Sequence, residues 1–117
     1  MSDSEMLLAA AHAYGLHDAK IVPAPYTGQP TIYSDVMFDA EGSGYWNPRH
    51  SDEQAFRLAV KLRIDLDFDT LNPFVDAYRK ERDGEALCSS EALTLDDNAA
   101  TRLAITRAAA AIGEAMP

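Results

Sequence analysis

The chain has 117 residues, 47% hydrophobic and 25% charged, a balance that suits one globular domain able to build a core without metals or disulfides. Its one cysteine, Cys88, excludes an internal disulfide and a cysteine-based zinc cluster, so a reducing compartment is expected. Nineteen Asp plus Glu against ten Lys plus Arg give a net charge of −9, which repels phosphate backbones and argues against direct nucleic-acid binding.

The opening stretch MSDSEMLLAAAHAYGLHDAK has an apolar patch with no basic run before it, and the patch is too short for a membrane span. Neither a signal peptide nor a transmembrane helix is expected, and the expected location is the cytoplasm. Ser2 and Glu5 form an S-x-x-E capping box, Met6 to Tyr14 is rich in helix formers, and Gly15 supplies a stop. These signals predict a short helix. From Ile21 to Trp46 regularity weakens, with Pro23, Pro25, Gly28, Pro30, Gly42 and Gly44 interrupting. Residues 16–46 therefore read as loop-rich, with one strand predicted in TIYSDVMF. There Ile32, Ser34, Val36 and Phe38 alternate with Tyr33, Asp35 and Met37.

Pro48 bars a helix from running through, and Ser51 with Gln54 makes a second capping box. Asp52 and Glu53 sit where a helix dipole favours negative charge. Ala55, Leu58, Ala59 and Leu62 then recur at helical spacing, broadened by Phe56 and Val60, while Glu53, Arg57 and Lys61 line the wet side. The spacing predicts a helix over Asp52 to Arg63. In IDLDFDT the period falls to two. Ile64, Leu66 and Phe68 should face the core, and Asp65, Asp67 and Asp69 should form a solvated acidic face.

NPFVDAYRKERDGEALCSS admits two readings. Asn72-Pro73 could open a helix that ends at Gly84, or Asp83-Gly84 could turn a hairpin between strands near 74–81 and 85–89. Thr94 or Asp96 caps the last predicted helix, from about Asp97 to Ala115. Its apolar face holds Ala100, Ala104, Ile105, Ala108, Ala109, Ala111, Ile112, Ala115 and Met116; Arg102, Thr106, Arg107, Gly113 and Glu114 fall on the other half. The expected core is Ile64, Leu66, Phe68, Phe56, Leu58, Leu62, Leu103, Ile105 and Ile112.

The D-x-D-x-D of Asp65, Asp67 and Asp69 lacks the calcium-loop signature, because Thr70 and Asp76 stand where Gly and Glu are required. Same-face side chains on a strand lie roughly 7 Å apart, too far for three to grip one ion. No metal is expected there. The three carboxylates read as a solvated ridge and, functionally, as a docking surface for basic groups. His12, His17 and His50 have no ligand spacing, and no nucleophile motif or phosphate-binding loop is present, so no catalytic residue and no cofactor is assigned. Tyr45 and Trp46, beside Asn47 and Arg49 and near Tyr26 and Tyr33, suit recognition of a planar ligand. The preferred reading is that Tyr45 and Trp46 plug a sheet edge and fasten the start of the following helix.

Two pieces, YWNPRHSDEQAFRLAVKLRI and LTLDDNAATRLAITRAAAAIGEAM, together resemble small bacteriophage and prophage proteins of the NinX-like and phage ABA-sandwich type. The features concerned are Trp46-Asn47-Pro48, Ala55 through Leu62 and Ala100 through Ala109, and the resemblance covers roughly the C-terminal 70 residues. It implies helices on the faces of a small antiparallel sheet and favours the hairpin at Asp83-Gly84. It also implies an accessory protein aimed at the host, with no catalytic set to carry over.

The expected class is thus α+β, with a small antiparallel sheet of three to four strands packed against about three helices, like an ABA sandwich. The expected function is that of a non-enzymatic phage accessory protein. It would inhibit a host defence component, a basic nucleic-acid-binding protein, by docking it on Asp65, Asp67 and Asp69. The alternative is a protein that sequesters a nucleotide-like signal with Tyr45, Trp46, Asn47 and Arg49, completed by a second copy in a homodimer.

Overall fold

Caps set the helix boundaries. In the computed structural model the Ser2 hydroxyl accepts the Glu5 N–H at 3.2 Å and opens α1 (Asp3–Tyr14). Gly15, at φ +100°, closes that helix by returning its N–H to the Ala11 and His12 carbonyls. The structure describes residues 2–69, 71–80, 86–93 and 96–116, and at 86–88, 90 and 92 the backbone only. After α1 come β1 (Lys20–Pro23), β2 (Pro30–Tyr33), α2 (Asp35–Glu41), β3 (Tyr45–Trp46), α3 (Asp52–Leu62), β4 (Asp65–Phe68), β5 (Phe74–Lys80), β6 (Ala86–Ala92) and α4 (Asp97–Ala115).

The class is α+β with antiparallel sheets against helices, as expected, but the strands are divided between two sheets among the described residues. Their orders are β1-β2-β3 and β4-β5-β6. The first sheet is built from the segment read as loop. There the predicted strand TIYSDVMF stops at Tyr33, and Asp35 to Glu41 is helical instead. Ser34 is the cause: its hydroxyl caps the Met37 N–H at 3.3 Å, and Gly42 ends the helix in the left-handed region.

The second sheet resolves the ambiguous segment as a hairpin, with Phe74 paired to Ala92 and Lys80 to Ala86; the Asp83-Gly84 turn itself lies outside the described residues. Asp96 caps α4 by accepting the Ala99 N–H at 2.9 Å, while Thr94 lies outside the described residues. Ser51 caps α3 through the Gln54 N–H at 3.2 Å. Gln54 does not complete the reciprocal box, because its side chain reaches back to the Asn47 N–H and the Tyr45 carbonyl.

The core runs through α4. This helix lies against α1 and α3 and covers β5 and β6, and α1 in turn contacts β2 of the first sheet. Both halves of α4 are therefore used. Thr106 and Gly113, placed by periodicity on the polar side, are buried along with Ala104, Ile105, Ala108, Ala109, Ala110 and Ile112. Gly113 permits the close approach to α1: a Cβ there would stand 2.0 Å from the Ala9 carbonyl oxygen.

Of the expected core, Leu58, Leu62, Ile64, Ile105 and Ile112 are buried and Leu103 is half-buried. Leu66, Phe68 and Phe56 are not core residues, with 37%, 49% and 68% of their surface exposed. The reason is geometric. α4 covers β5 and β6 but not the edge strand β4, so the apolar side of β4 faces the right way with nothing laid over it.

Candidate functional site

β4 owes its position to the end of α3. Arg63 adopts the left-handed conformation at φ +58°, and the N–H groups of Arg63 and Ile64 return to the Val60 and Ala59 carbonyls. The chain leaves this turn as β4 and pairs antiparallel with β5, Asp65 opposite Tyr78, Leu66 opposite Ala77, Asp67 opposite Asp76 and Phe68 opposite Val75. Directly opposed residues share a face. One face therefore carries Asp65 and Asp67, exposed, with Asp76 and Tyr78, half-buried. The other carries Leu66 and Phe68 beside buried Val75 and Ala77.

Asp69 belongs to this group in sequence but does a different job. Its carboxylate accepts the N–H groups of Leu71 at 2.8 Å and Asn72 at 3.1 Å, closing the turn between β4 and β5. Those backbone donors, with the Asn72 amide, hold its pKa below the ordinary carboxylate value. The ridge of three aspartates is thus two exposed carboxylates and one turn clasp. Asp76, invisible to the D-x-D-x-D pattern because it comes from β5, takes the third place; it has an interaction of its own within the fold.

The apolar side of β4 opens into a trough of about 350 Å³ between β4, α3 and α4, with Phe56, Leu66 and Phe68 on its walls and Ala55, Ala59 and Ile105 below. It shares Phe56, Ala59 and Leu66 with a groove of about 800 Å³ that runs past Val60 toward Arg63, Arg79 and Lys80. Exposed Phe56, Val60, Leu66 and Phe68 thus form one apolar surface on two neighbouring elements.

The loop aromatics are placed differently from the ligand-binding expectation. Trp46 is 1% exposed and stacks on Tyr14 with ring centroids 5.5 Å apart, so its face is not open to a ligand. The Tyr14 pKa is raised, first by burial and then by the charge of Glu41. Tyr45 is 41% exposed and meets Tyr33 edge to face. Asn47 accepts the Arg49 N–H at 3.1 Å through its side chain, and Arg49 pairs with Asp3 at 2.9 Å while its carbonyl accepts Arg102 Nε at 2.7 Å. Trp46, Asn47 and Arg49 are accounted for by packing and by fastening α3 to α1 and α4. Tyr26 is fully exposed.

His12 and His17 approach each other edge to face at 6.3 Å, without further ligands. Among the described residues no three or more His, Cys, Asp or Glu side chains are grouped to hold a metal ion, and no helix is long and apolar enough to cross a membrane. Comparison of the chain with models of known families, with curated proteins and with solved structures finds no match.

Proposed function

We propose that this is a non-enzymatic binding protein whose acidic sheet face, centred on Asp65 and Asp67, docks a basic protein. The observation that carries the reading is the two-sided character of β4, with exposed carboxylates on one face and exposed Leu66 and Phe68 on the other. Carboxylates on an open face speed encounter with a basic surface and select for it, and uncovered apolar side chains supply contact area once it arrives. The overall charge of −9 acts in the same direction at longer range. The resemblance to phage accessory proteins supports a target in the host, a component of its defence met in the cytoplasm, and the acidic charge supports a basic, nucleic-acid-binding one. The rival reading, a sequestered nucleotide-like signal, loses its stacking platform with the burial of Trp46.

Native mass spectrometry of the protein drawn from host lysate tests this. A basic protein that co-purifies at low salt and is lost from an Asp65→Lys/Asp67→Lys variant supports the proposal. A small molecule that co-purifies and is retained by that variant contradicts it.

A further inference from the structure

The hydrogen-bond phase of the second sheet shows which backbone groups of β4 are spoken for. Asp69 donates its N–H to the Phe74 carbonyl at 3.0 Å. In an antiparallel ladder bonded and non-bonded pairs alternate, so 67/76 and 65/78 are bonded pairs, whereas 66/77 and 68/75 are not. The other side of β5 agrees: Leu93 donates to the Pro73 carbonyl at 2.6 Å, which hands the odd-numbered residues of β5 to β6 and the even-numbered ones to β4. The N–H and C=O groups of Leu66 and Phe68 therefore point away from β5. β4 ends the sheet, and among the described residues no strand pairs with it on that side.

An open edge of this kind invites another strand, and monomeric proteins usually blunt it by keeping the strand short or with charged side chains (lysine above all), proline, a bulge or a covering element. Asp65–Phe68 is short and charged, but it has no lysine or proline and its four residues pair in unbroken register. Its charge is aspartate alone, on one face. That charge decides between guests. A second copy pairing antiparallel about a two-fold axis near Leu66 and Asp67 would set Asp65 and Asp67 of one chain beside those of the other, and like charges facing across strands are destabilising. A guest strand with Lys or Arg on that face instead finds complementary carboxylates. Its alternate residues fall on the opposite face, over the trough walled by Phe56, Leu66 and Phe68.

We infer that β4 is an acceptor edge. An extended segment of the basic partner, alternating basic and apolar residues, adds to the second sheet as a fourth strand. It bonds to the outward N–H and C=O groups of Leu66 and Phe68, sets its apolar side chains in the trough and its basic side chains beside Asp65 and Asp67. This rests on the reading of the acidic face as a docking surface and specifies how the docking is done.

The test uses end-capped synthetic peptides alternating lysine and valine, titrated into the intact protein at low salt. Three are needed: unmethylated, N-methylated at the valine amides, and N-methylated at the lysine amides. Only one set of amides can point at β4, the valine set if the guest runs antiparallel and the lysine set if parallel. One methylated peptide should bind at least about tenfold more weakly while the other matches the parent. Phe56→Ser, at an exposed site, should weaken the parent peptide without lowering the melting temperature. Equal binding of all three peptides, lost in Asp65→Lys/Asp67→Lys, would overturn strand addition and leave acidic docking standing. No binding of any lysine-valine peptide would overturn both.

Discussion

Asp67 and Asp76 stand directly opposite one another across β4 and β5. Opposed like charges cost about 0.2–1 kcal/mol in a sheet, so this arrangement works against folding. Asp67→Asn is expected to raise the melting temperature by a few degrees and to weaken binding of a lysine-rich peptide. Thermal melts and peptide titrations on the same variant check both halves. A variant that gains stability and keeps full affinity would remove Asp67 from the docking surface.

A second prediction concerns acid. The Asp18 carboxylate accepts the Ser34 hydroxyl at 2.6 Å and the Asp35 N–H at 2.7 Å, tying the loop after α1 to the start of α2. The Ser34 hydrogen bond chiefly, aided by the Asp35 and Val36 N–H groups, lowers the Asp18 pKa from its ordinary value of 3.8. The folded state thus binds the Asp18 proton less readily than the unfolded state. The stabilisation is complete above the ordinary value and is lost as pH falls through 3.8 toward the lowered one. Asp69 behaves the same way. Asp18→Asn should melt lower than the parent at neutral pH, and the gap should close in acid. A gap independent of pH would show that the carboxylate charge is not what ties α2 down.

Gly113 gives a prediction of opposite sign to helix propensity. In an exposed helix Gly→Ala stabilises by about 1 kcal/mol. Here the added methyl meets the Ala9 carbonyl, which cannot retreat without parting α1 from α4. Gly113→Ala should destabilise by about 1–3 kcal/mol, toward the upper end because the contact is with backbone. Denaturant unfolding measures it, and a neutral or stabilising result would mean that the two helices lie further apart.

Trp46 separates packing from recognition. Trp46→Ala should cost about 3–5 kcal/mol, as for other fully buried aromatics. The folded fraction should bind a lysine-rich peptide as the parent does, because Trp46 contacts Tyr14 and not the β4 face. Loss of affinity in excess of the unfolded fraction would return the loop aromatics to the binding site.

The parts of the fold that the sequence announces are those settled within a dozen residues. Ser51 and the Ala55–Leu62 stripe define α3, and the period-two run from Ile64 assigns Asp65 and Asp67 to one face of β4. α2 escapes because its cap and first residues, Ser34 to Phe38, fit a strand as well as a helix. Part of what fixes its start is the Asp18 carboxylate, 16 residues earlier. Thr106 and Gly113 read as solvent-facing because periodicity along α4 cannot reveal that α1 lies on its second side. The candidate site was half legible for the same reason. Alternation tells which way Leu66 and Phe68 point, but only the placement of α4 over β5 and β6 shows them uncovered, and only the β4–β5 register brings Asp76 to Asp67.

Residue-resolved amide hydrogen exchange through β4, with and without a lysine-valine peptide, tests the account most directly. In the free protein the Asp67 amide should be protected by its bond to β5, while the Leu66 and Phe68 amides exchange fast from the open edge. Adding the peptide should slow Leu66 and Phe68 selectively. Leu66 and Phe68 amides already protected in the free protein, or unaffected by a peptide that binds, would contradict the claim that β4 is the docking edge.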